Sequence, residues 1–393
     1  MHAAKILRRF VWTRLPGVHA SRRECLVDAV TAITRGCPLR LSGLARGMAR
    51  AGTYKAALKR ADRLLGNARI DAENRCASQA IVNQLGAMCR ELFIAVDWSS
   101  AAPGGRMVQL RASATMPGMG RAITICQRVY PGSTMGSARA ENDLLQWLKT
   151  AIDPTMRVTL ITDAGFRRPW FNAVSALGWS WIGRVRKGGN LRLPHDRSWH
   201  TPAECFAKAR RKPQRWHNCE LTQGFAWPCD LVLHRRPRQR RSRSELPNRN
   251  RYRKAVIEAQ ASQKEPWLLA CSPDLRRYRP DEIVAFYALR MQIEETFRDT
   301  KSTAFAMGME TARSRSPQRL LGLLMLAMLA AFFLWHLGQL AEAEGLHRRY
   351  CATTRSSREI SLLFLGLLLC KEPRLPLTSC AIRALLARLG IPR

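Results

Sequence analysis

The chain has 393 residues, which is long enough for two or three domains and at least one sizeable core. Its 65 Lys and Arg residues against 29 Asp and Glu residues give a formal net charge of +36. Because a charge of this size repels itself unless a polyanion neutralises it, the composition predicts nucleic acid as the main partner. An anionic membrane surface is the competing interpretation.

The N-terminus and the cysteines argue against a secreted, disulfide-rich class. The opening sequence MHAAKILRRFVWTRLPG is basic and has no apolar stretch followed by a small-residue cleavage site, so we expect a cytoplasmic protein. Twelve cysteines are scattered along the chain without a C-x-x-C pair, which favours reduced, mostly buried thiols. His217 and Cys219 are two candidate zinc ligands without a partner pair elsewhere, so we interpret them as structural.

Residues 1–88 are rich in Ala, Leu and Arg and predict a helical domain. The clearest part, residues 40–67, predicts two helices with a turn at Gly52. Basic residues load the second of these helices: Lys55, Lys59, Arg60 and Arg63. Such a pair suits the helix-turn-helix mode of DNA contact, and a simple basic surface helix is the alternative.

Residues 89–187 change to short apolar strands. Their pattern is strand, strand, strand, helix, strand, helix, strand, which predicts a mixed α/β fold. In this pattern Asp97 follows the strand LFIAV, and Asp163 follows the strand RVTLIT. Groups at the carboxyl ends of strands commonly line a ligand crevice in α/β sheets, so both aspartates are candidate site residues.

Residues 188–265 break this pattern. The segment 235–254 is too charged and too rich in Pro for a core element, so it is either a solvated loop suited to backbone phosphates or a disordered linker. Residues 266–340 resume with a strand that holds Trp267, and residues 341–393 predict a helical segment for packing or self-association. The apolar run from Leu320 is long enough to span a bilayer, but it is equally compatible with a buried helix, and no membrane is expected.

Two adjacent carboxylates, Glu294 and Glu295, lie in the stretch YALRMQIEETFRDTK. No Gly or Pro intervenes between Asp281 and Lys301, so we predict a single helix of about five turns. At 100° per residue, an arc of about 60° holds four polar residues: Tyr287, Arg290, Glu294 and Lys301. Glu295 points away from this arc, so Glu294 is the carboxylate of interest. The alternative is a solvated face with ordinary ion pairs at helical spacing.

Asp97, Asp163 and Glu294 together offer oxygen ligands of the kind that Mg²⁺ and Mn²⁺ prefer. A pair of such ions about 4 Å apart activates a water or hydroxyl and stabilises the leaving oxygen of an in-line phosphoryl displacement. This chemistry is that of nucleases and strand-transfer enzymes.

The spacing Y-x2-R-x3-E-x6-K, formed by Tyr287, Arg290, Glu294 and Lys301, resembles the signature of bacterial insertion-sequence transposases of family four. AVDWSS around Asp97, ITDAGF around Asp163 and KRADRLLGN in the N-terminal domain extend the likeness over most of the chain. Trp98 directly follows Asp97. A small or hydroxylated residue at this position would crowd the metals less, so Trp98 is a departure from what the site would favour.

The resemblance implies a ribonuclease-H-like α/β catalytic core interrupted by a mostly β insertion between Asp163 and Glu294. An α-helical N-terminal DNA-binding domain and a helical C-terminal segment complete this architecture. The implied boundaries are 1–88 for the DNA-binding domain, 89–187 and 266–340 for the two parts of the core, 188–265 for the insertion, and 341–393 for the C-terminal segment.

The resemblance also implies a function, which is cut-and-paste transposition through end nicking, hairpin formation, hairpin resolution and strand transfer. It implies two Mg²⁺ ions per site, replaceable by Mn²⁺, held by Asp97, Asp163 and Glu294. The implied partners are the terminal inverted repeats and target DNA, bound by a homodimer in a synaptic complex.

Further roles in DNA binding follow from the same likeness. Arg290 and Lys301 are implied phosphate clamps, Tyr287 an implied backbone contact, and Trp267 an implied stacking surface for a flipped base. Packing of Trp267 at a strand end is its alternative. For the whole chain, the alternatives are a catalytically inactive or domesticated DNA-binding protein and a cationic membrane protein.

Overall fold

The computed structural model describes residues 2–49, 52–186, 189–224, 226–236, 265–303 and 307–391. The chain divides into two compact units. One consists of Met1–Val158 together with Leu289–Arg393, and the other of Thr159–Ala288. We call them the first and the second unit.

Helices form the N-terminal part of the first unit. They are α1 (Ala3–Arg14), α2 (Ala20–Thr34), α3 (Leu41–Met48), α4 (Tyr54–Leu65) and α5 (Ile70–Met88). Thr53 caps α4, since its side chain accepts the backbone N–H of Ala56 at 3.3 Å. Ala57, Ala61 and Leu64 are buried on one face of α4, and its basic residues lie on the exposed side. The helical prediction for residues 1–88 and the helix pair around Gly52 are confirmed.

An antiparallel meander follows in the same unit. It consists of β1 (Glu91–Ser100), β2 (Met107–Thr115) and β3 (Ile123–Pro131), with β2 in the middle, and α6 (Ala138–Ala151) comes next. The prediction that β1 ends before Asp97 is wrong. Ser99 and Ser100 still pair with β2, so the strand continues and Asp97 lies inside it, opposite Arg111.

The second unit is a mixed sheet with peripheral helices. Along the chain it contains β4 (Arg157–Thr162), α7 (Arg168–Ala176), β5 (Ser180–Val185), β6 (Leu191–Arg192), α8 (Pro202–Ala207), β7 (Gln214–Leu221), β8 (Trp227–His234), β9 (Trp267–Cys271) and α9 (Pro280–Leu289). The strand order is β4-β5-β9-β8-β7-β6, in which β4 and β5 are parallel and the other pairs antiparallel. The predicted basic segment 235–254 lies outside the described residues after Arg236.

The thiols and the buried polar groups of the second unit agree with the structural interpretation of His217 and Cys219. The imidazole Nδ1 of His217 lies 2.7 Å from the Asp230 carboxylate, which also accepts from Arg276 at 2.8 Å. Cys219 is buried, and its thiol donates to the carbonyl oxygen of Trp216 at 3.5 Å. The cysteines of the described ranges are free thiols, and most are buried, as predicted.

The chain returns to the first unit with α10 (Met291–Lys301), α11 (Pro317–Ala343), α12 (Leu362–Cys370) and α13 (Ser379–Arg388). The prediction of one helix from Asp281 to Lys301 is wrong, because α9 ends at Leu289 and α10 begins at Met291. Arg290 keeps right-handed helical dihedrals (φ −52°, ψ −32°). However, its carbonyl accepts the N–H of Ile293 at 3.1 Å, a bond across three residues that tightens the turn.

The apolar run from Leu320 lies in α11, which packs against α2, α5, β3 and α12. Among the described residues this helix is long and apolar enough to cross a membrane, and 94% of its most apolar window is buried inside the structure. A helix that is apolar on all sides is typical of a protein core. The interpretation of this run as a buried helix is confirmed.

Two glycines allow α11 and α12 to approach closely. A Cβ built at Gly338 of α11 would lie 2.0 Å from the carbonyl oxygen of Leu362, and one built at Gly366 of α12 would lie 2.3 Å from that of Leu334. Both obstacles are backbone atoms, so a side chain at either position requires the helices to separate.

Gly338→Ala is therefore expected to lower the free energy of unfolding by about 1–3 kcal/mol, despite the better helix propensity of Ala. Gly322→Ala in the same helix is the matched control, because its new Cβ would meet the side-chain atom Cδ2 of Leu65 at 3.2 Å, which can move. Urea unfolding of both variants measures the difference. Equal stabilities would contradict the close-packing account.

His336 of α11 introduces a pH dependence into this core. Its ring is fully buried against Phe332 and Trp335, and neither ring nitrogen has a hydrogen-bond partner within the described ranges. Burial, with a smaller contribution from Arg388, lowers the pKa of His336 to about 3. In the unfolded chain the pKa of this histidine is about 6.5, so below that pH the unfolded chain binds more protons than the folded chain.

Stability is accordingly expected to fall as pH drops below about 6.5, with His336 accounting for about 2 kcal/mol between pH 7.5 and 5. His336→Leu should remove this part of the pH dependence. His2→Gln, at an exposed histidine, is the matched control. Urea unfolding at several pH values tests the prediction, and an unchanged pH slope in His336→Leu would overturn it.

Candidate active site

The alternation of side chains along β1 separates Asp97 from Trp98. Successive strand residues point to opposite faces, so Asp97 shares a face with Ala95 and Ser99. Trp98 lies on the other face, where its Nε1–H donates to Glu141 at 3.1 Å and its ring packs 5.7 Å from that of Tyr130. The bulky residue after Asp97 therefore turns away from the carboxylate.

An apolar contact brings α10 onto the face of β1 that holds Asp97. Ile293 and Phe297, one turn apart on α10, form a buried cluster with Ala95. Burial of side chains of this size is worth about 1.5–3 kcal/mol each. Because Glu294 follows Ile293 directly, this packing fixes the carboxylate at the edge of the contact.

Arg290 bridges Asp97 and Glu294, the two predicted site carboxylates that lie in the first unit. Its Nη1 donates to Asp97 Oδ2 at 3.3 Å, and its Nη2 donates to Glu294 Oε1 at 2.6 Å. The side chains of Arg290 and Asp97 are mostly buried, with 12% and 16% of their surface exposed, whereas that of Glu294 is 42% exposed. The structure thus brings together three of the predicted site residues: Asp97, Arg290 and Glu294.

Lys301, at the end of α10, returns to the same strand. Its Nζ donates to Ser99 Oγ at 2.8 Å and lies 5.7 Å from the ring centre of Phe297. Burial chiefly lowers the pKa of Lys301, the charge of Arg111 lowers it further, and Asp97 opposes the shift. Lys301 is consequently a poorly solvated cation within the electrostatic influence of a site carboxylate.

Arg111 is a site residue that the sequence did not indicate. It is 1% exposed on β2 directly across from Asp97, and its guanidinium lies 4.6 Å from the ring centre of Phe297. Its Nη2 donates to Gln109 at 3.0 Å, and burial lowers the pKa of Arg111 to about 9. The available signal was the single charge within the strand MVQLRASAT.

Glu295, Gln292 and Asp299 lie on the face of α10 that points away from Asp97. Gln292 bonds both backbone groups of Met116, donating at 2.6 Å and accepting at 3.2 Å. Arg121 lies 3.4 Å from the Glu295 carboxylate and also binds Asp299. This face attaches the helix to the turn between β2 and β3, so the predicted divergence of Glu294 and Glu295 is confirmed.

The remaining predicted residues lie in the second unit. Asp163 directly follows β4, as predicted, and its Oδ1 accepts the backbone N–H of Gly165 at 2.8 Å. Trp267 opens β9 and packs edge-on against Tyr287 with ring centres 4.8 Å apart, while Arg236 lies over its ring at 4.5 Å. Both aromatic residues are almost fully buried, so Trp267 is packed at a strand end in this structure.

Comparison with protein families gives one decisive finding. A family model described as "Transposase DDE domain" matches residues 112–333, more than half of the chain. The chain belongs to this transposase family. The predicted site residues Asp163, Tyr287, Arg290, Glu294 and Lys301 lie inside the match, whereas Asp97 lies before its first residue. The comparison with curated proteins gave no match.

The carboxylates of the transposase have the donor chemistry that a divalent metal requires. Members of the family generally use divalent metal ions. Within the described ranges, no group of three or more His, Cys, Asp or Glu side chains is arranged to hold a metal. Asp97 and Glu294 nevertheless converge on one cationic group, and carboxylate oxygens are the ligands that Mg²⁺ and Mn²⁺ prefer.

Arg121 offers a test of how α10 is held in place. Its partner Asp299 is 4% exposed in its side chain, and burial raises the pKa of Asp299 although Arg121 opposes this shift. Arg121→Met leaves a buried carboxylate without its cation and is expected to lower the free energy of unfolding by about 2–4 kcal/mol.

Arg298→Met is the control, since Arg298 is half exposed and pairs with Glu295 on the same helix, and it should cost less than about 1 kcal/mol. Adding Asp299→Asn to Arg121→Met should recover part of the loss. Urea unfolding of the three variants measures these effects, and equal losses for Arg121→Met and Arg298→Met would contradict the proposed anchoring.

Proposed function

We propose that this transposase moves a DNA element by cut-and-paste transposition, with Asp97, Asp163 and Glu294 as its metal-binding catalytic carboxylates. The observation that carries the proposal is the convergence of Asp97 and Glu294 on Arg290, with Glu294 inside the region that matches the transposase domain. When bound, two Mg²⁺ or Mn²⁺ ions would activate the attacking oxygen and stabilise the leaving oxygen of each phosphoryl transfer.

The cations of the first unit support a role in binding DNA phosphates. Arg290 lies beside both carboxylates, and Lys301 donates a hydrogen bond to Ser99 on the same face of β1. A guanidinium binds phosphate through two parallel hydrogen bonds, and an ammonium acts as a point charge. We assign both residues to the scissile strand of the element end.

DNA binding beyond the site is assigned to the N-terminal domain, residues 1–88. The exposed face of α4 carries Lys55, Lys59 and Arg63 at helical spacing, which suits contact with a duplex backbone. The proposed division of the remaining chain is a catalytic core over 89–187 and 266–340, a mostly β insertion over 188–265, and a C-terminal segment over 341–393.

Trp267 and Tyr287, the aromatic pair of the second unit, suit a role in hairpin formation. A tight hairpin requires a base to leave the stack, and an aromatic ring recovers about 1–3 kcal/mol by stacking. We propose that Trp267 provides this surface and Tyr287 contacts the adjacent backbone. Arg236 covers the Trp267 ring, so stacking requires this guanidinium to move.

The proposed substrates are the terminal inverted repeats of the element and target DNA. Two ends are paired by a homodimer in a synaptic complex, and the reaction takes place in the cytoplasm. Hydrolysis of one strand frees a 3′ hydroxyl at the element end, which attacks the phosphodiester of the opposite strand. This closes the hairpin and releases the flanking DNA with a 3′ hydroxyl as the leaving group. Water then reopens the hairpin, and the 3′ hydroxyl attacks a target phosphodiester, whose own 3′ oxygen leaves.

We expect Glu294→Gln to abolish cleavage of a labelled duplex that carries the element's terminal repeat, because it removes a proposed metal-binding carboxylate. Glu295→Gln, which changes the adjacent carboxylate on the anchoring face of α10, should retain cleavage. Gel mobility in the presence of Mg²⁺ separates nicks, hairpins and double-strand breaks. Both variants should bind the duplex, as measured by mobility shift.

Binding without cleavage by the wild-type protein would instead support a catalytically inactive DNA-binding protein. Equal loss of cleavage in Glu294→Gln and Glu295→Gln would contradict the assignment of Glu294. Asp97→Asn provides an independent check, because it should remove cleavage and leave duplex binding in place.

A further inference from the structure

We propose that Arg290 competes with divalent metal ions for Asp97 and Glu294, so that metal binding at these carboxylates requires the guanidinium to leave. This inference rests on the proposed function of the two carboxylates as metal ligands. It adds to that function a control of metal loading by a residue of the chain itself.

Arg290 contacts both carboxylates at once. Its two terminal nitrogens are divided between the carboxylates, Nη1 with Asp97 at 3.3 Å and Nη2 with Glu294 at 2.6 Å. A metal ion that coordinates the same oxygens must replace these hydrogen bonds, because a carboxylate oxygen directed at a guanidinium N–H presents that lone pair to the proton.

The charge of Arg290 also opposes a divalent ion. The guanidinium places a full positive charge between the carboxylates that would otherwise attract a divalent ion, and its side chain is only 12% exposed, so water screens it weakly. Arg111, which is fully buried, and Lys301, which is half-buried, add further positive charge near Asp97. Cations in this position already neutralise the two carboxylates, which lowers the gain from binding a metal ion.

The partner that can remove Arg290 is a DNA phosphate. A DNA phosphate accepts two parallel hydrogen bonds from a guanidinium, which matches what the two carboxylates supply together. When Arg290 turns to a phosphate, Asp97 and Glu294 become available to metal. Metal affinity should therefore rise in the presence of a DNA end, and by linkage DNA affinity should rise with metal.

A purely structural role for Arg290 makes the opposite prediction. If the guanidinium only holds the two carboxylates in position, its removal should allow them to separate and should weaken metal binding. The direction of the change in metal affinity therefore distinguishes competition from support.

The test is a titration of the protein with Mn²⁺ in the absence of DNA, with free Mn²⁺ measured by electron paramagnetic resonance. We expect Arg290→Gln to lower the Kd for Mn²⁺ at least about tenfold relative to the wild type. Arg298→Gln on the same helix is the matched control, because Arg298 pairs with Glu295 and should leave the Kd unchanged. Arg290→Lys keeps the charge and should give an intermediate Kd.

The double variant Arg290→Gln with Asp97→Asn tests whether Mn²⁺ binds at Asp97. It should lose the increase in Mn²⁺ affinity that Arg290→Gln alone produces. Thermal unfolding of each variant checks that the fold is retained. An unchanged or weaker affinity in Arg290→Gln, with binding still dependent on Asp97, would overturn the competition but keep the carboxylates as metal ligands. The absence of Asp97-dependent Mn²⁺ binding in every variant, with and without duplex DNA, would overturn both proposals.

Discussion

The packing of α10 against β1 is the constraint on which the site in the first unit depends. Ile293 and Phe297 bury their side chains with Ala95, and the polar face of α10 is tied to the turn between β2 and β3 through Gln292 and Arg121. An apolar contact has no preferred direction, but the hydrogen bonds of the second face do, so the two together fix the rotation of the helix. That rotation directs Glu294 toward Asp97 and Glu295 away from it.

The excess of positive charge in the whole chain is repeated within this site. Asp97 and Glu294 are outnumbered by the cations Arg290, Lys301 and Arg111, and two of these cations are largely buried. Buried positive charge is costly unless anions compensate it, so a site with this excess of cations favours anionic ligands, among which we propose DNA phosphates. The same cations oppose a metal ion, so phosphate and metal are expected to bind together more readily than metal alone.

Local patterns predicted much of this fold, and long-range contacts explain what they missed. The apolar run before Asp163 marked the end of β4, and helical spacing separated Glu294 from Glu295. The continuation of β1 past Asp97 depends on pairing with β2, and no Gly or Pro marks the break between α9 and α10. Arg111 lies against Phe297, which is distant in sequence, so no local pattern around Arg111 could place its guanidinium beside α10.

Asp97, Asp163 and Glu294 are our proposed metal ligands, and metal-directed cleavage of the protein backbone examines this assignment. Fe²⁺ binds oxygen ligands of the same kind as Mg²⁺, and with ascorbate and peroxide it cuts the chain close to where it is bound. In the presence of the terminal-repeat duplex, we expect cuts near all three carboxylates, and excess Mg²⁺ should suppress them. Cuts near Asp97 and Glu294 without any near Asp163, or no Mg²⁺-sensitive cuts at all, would overturn this assignment.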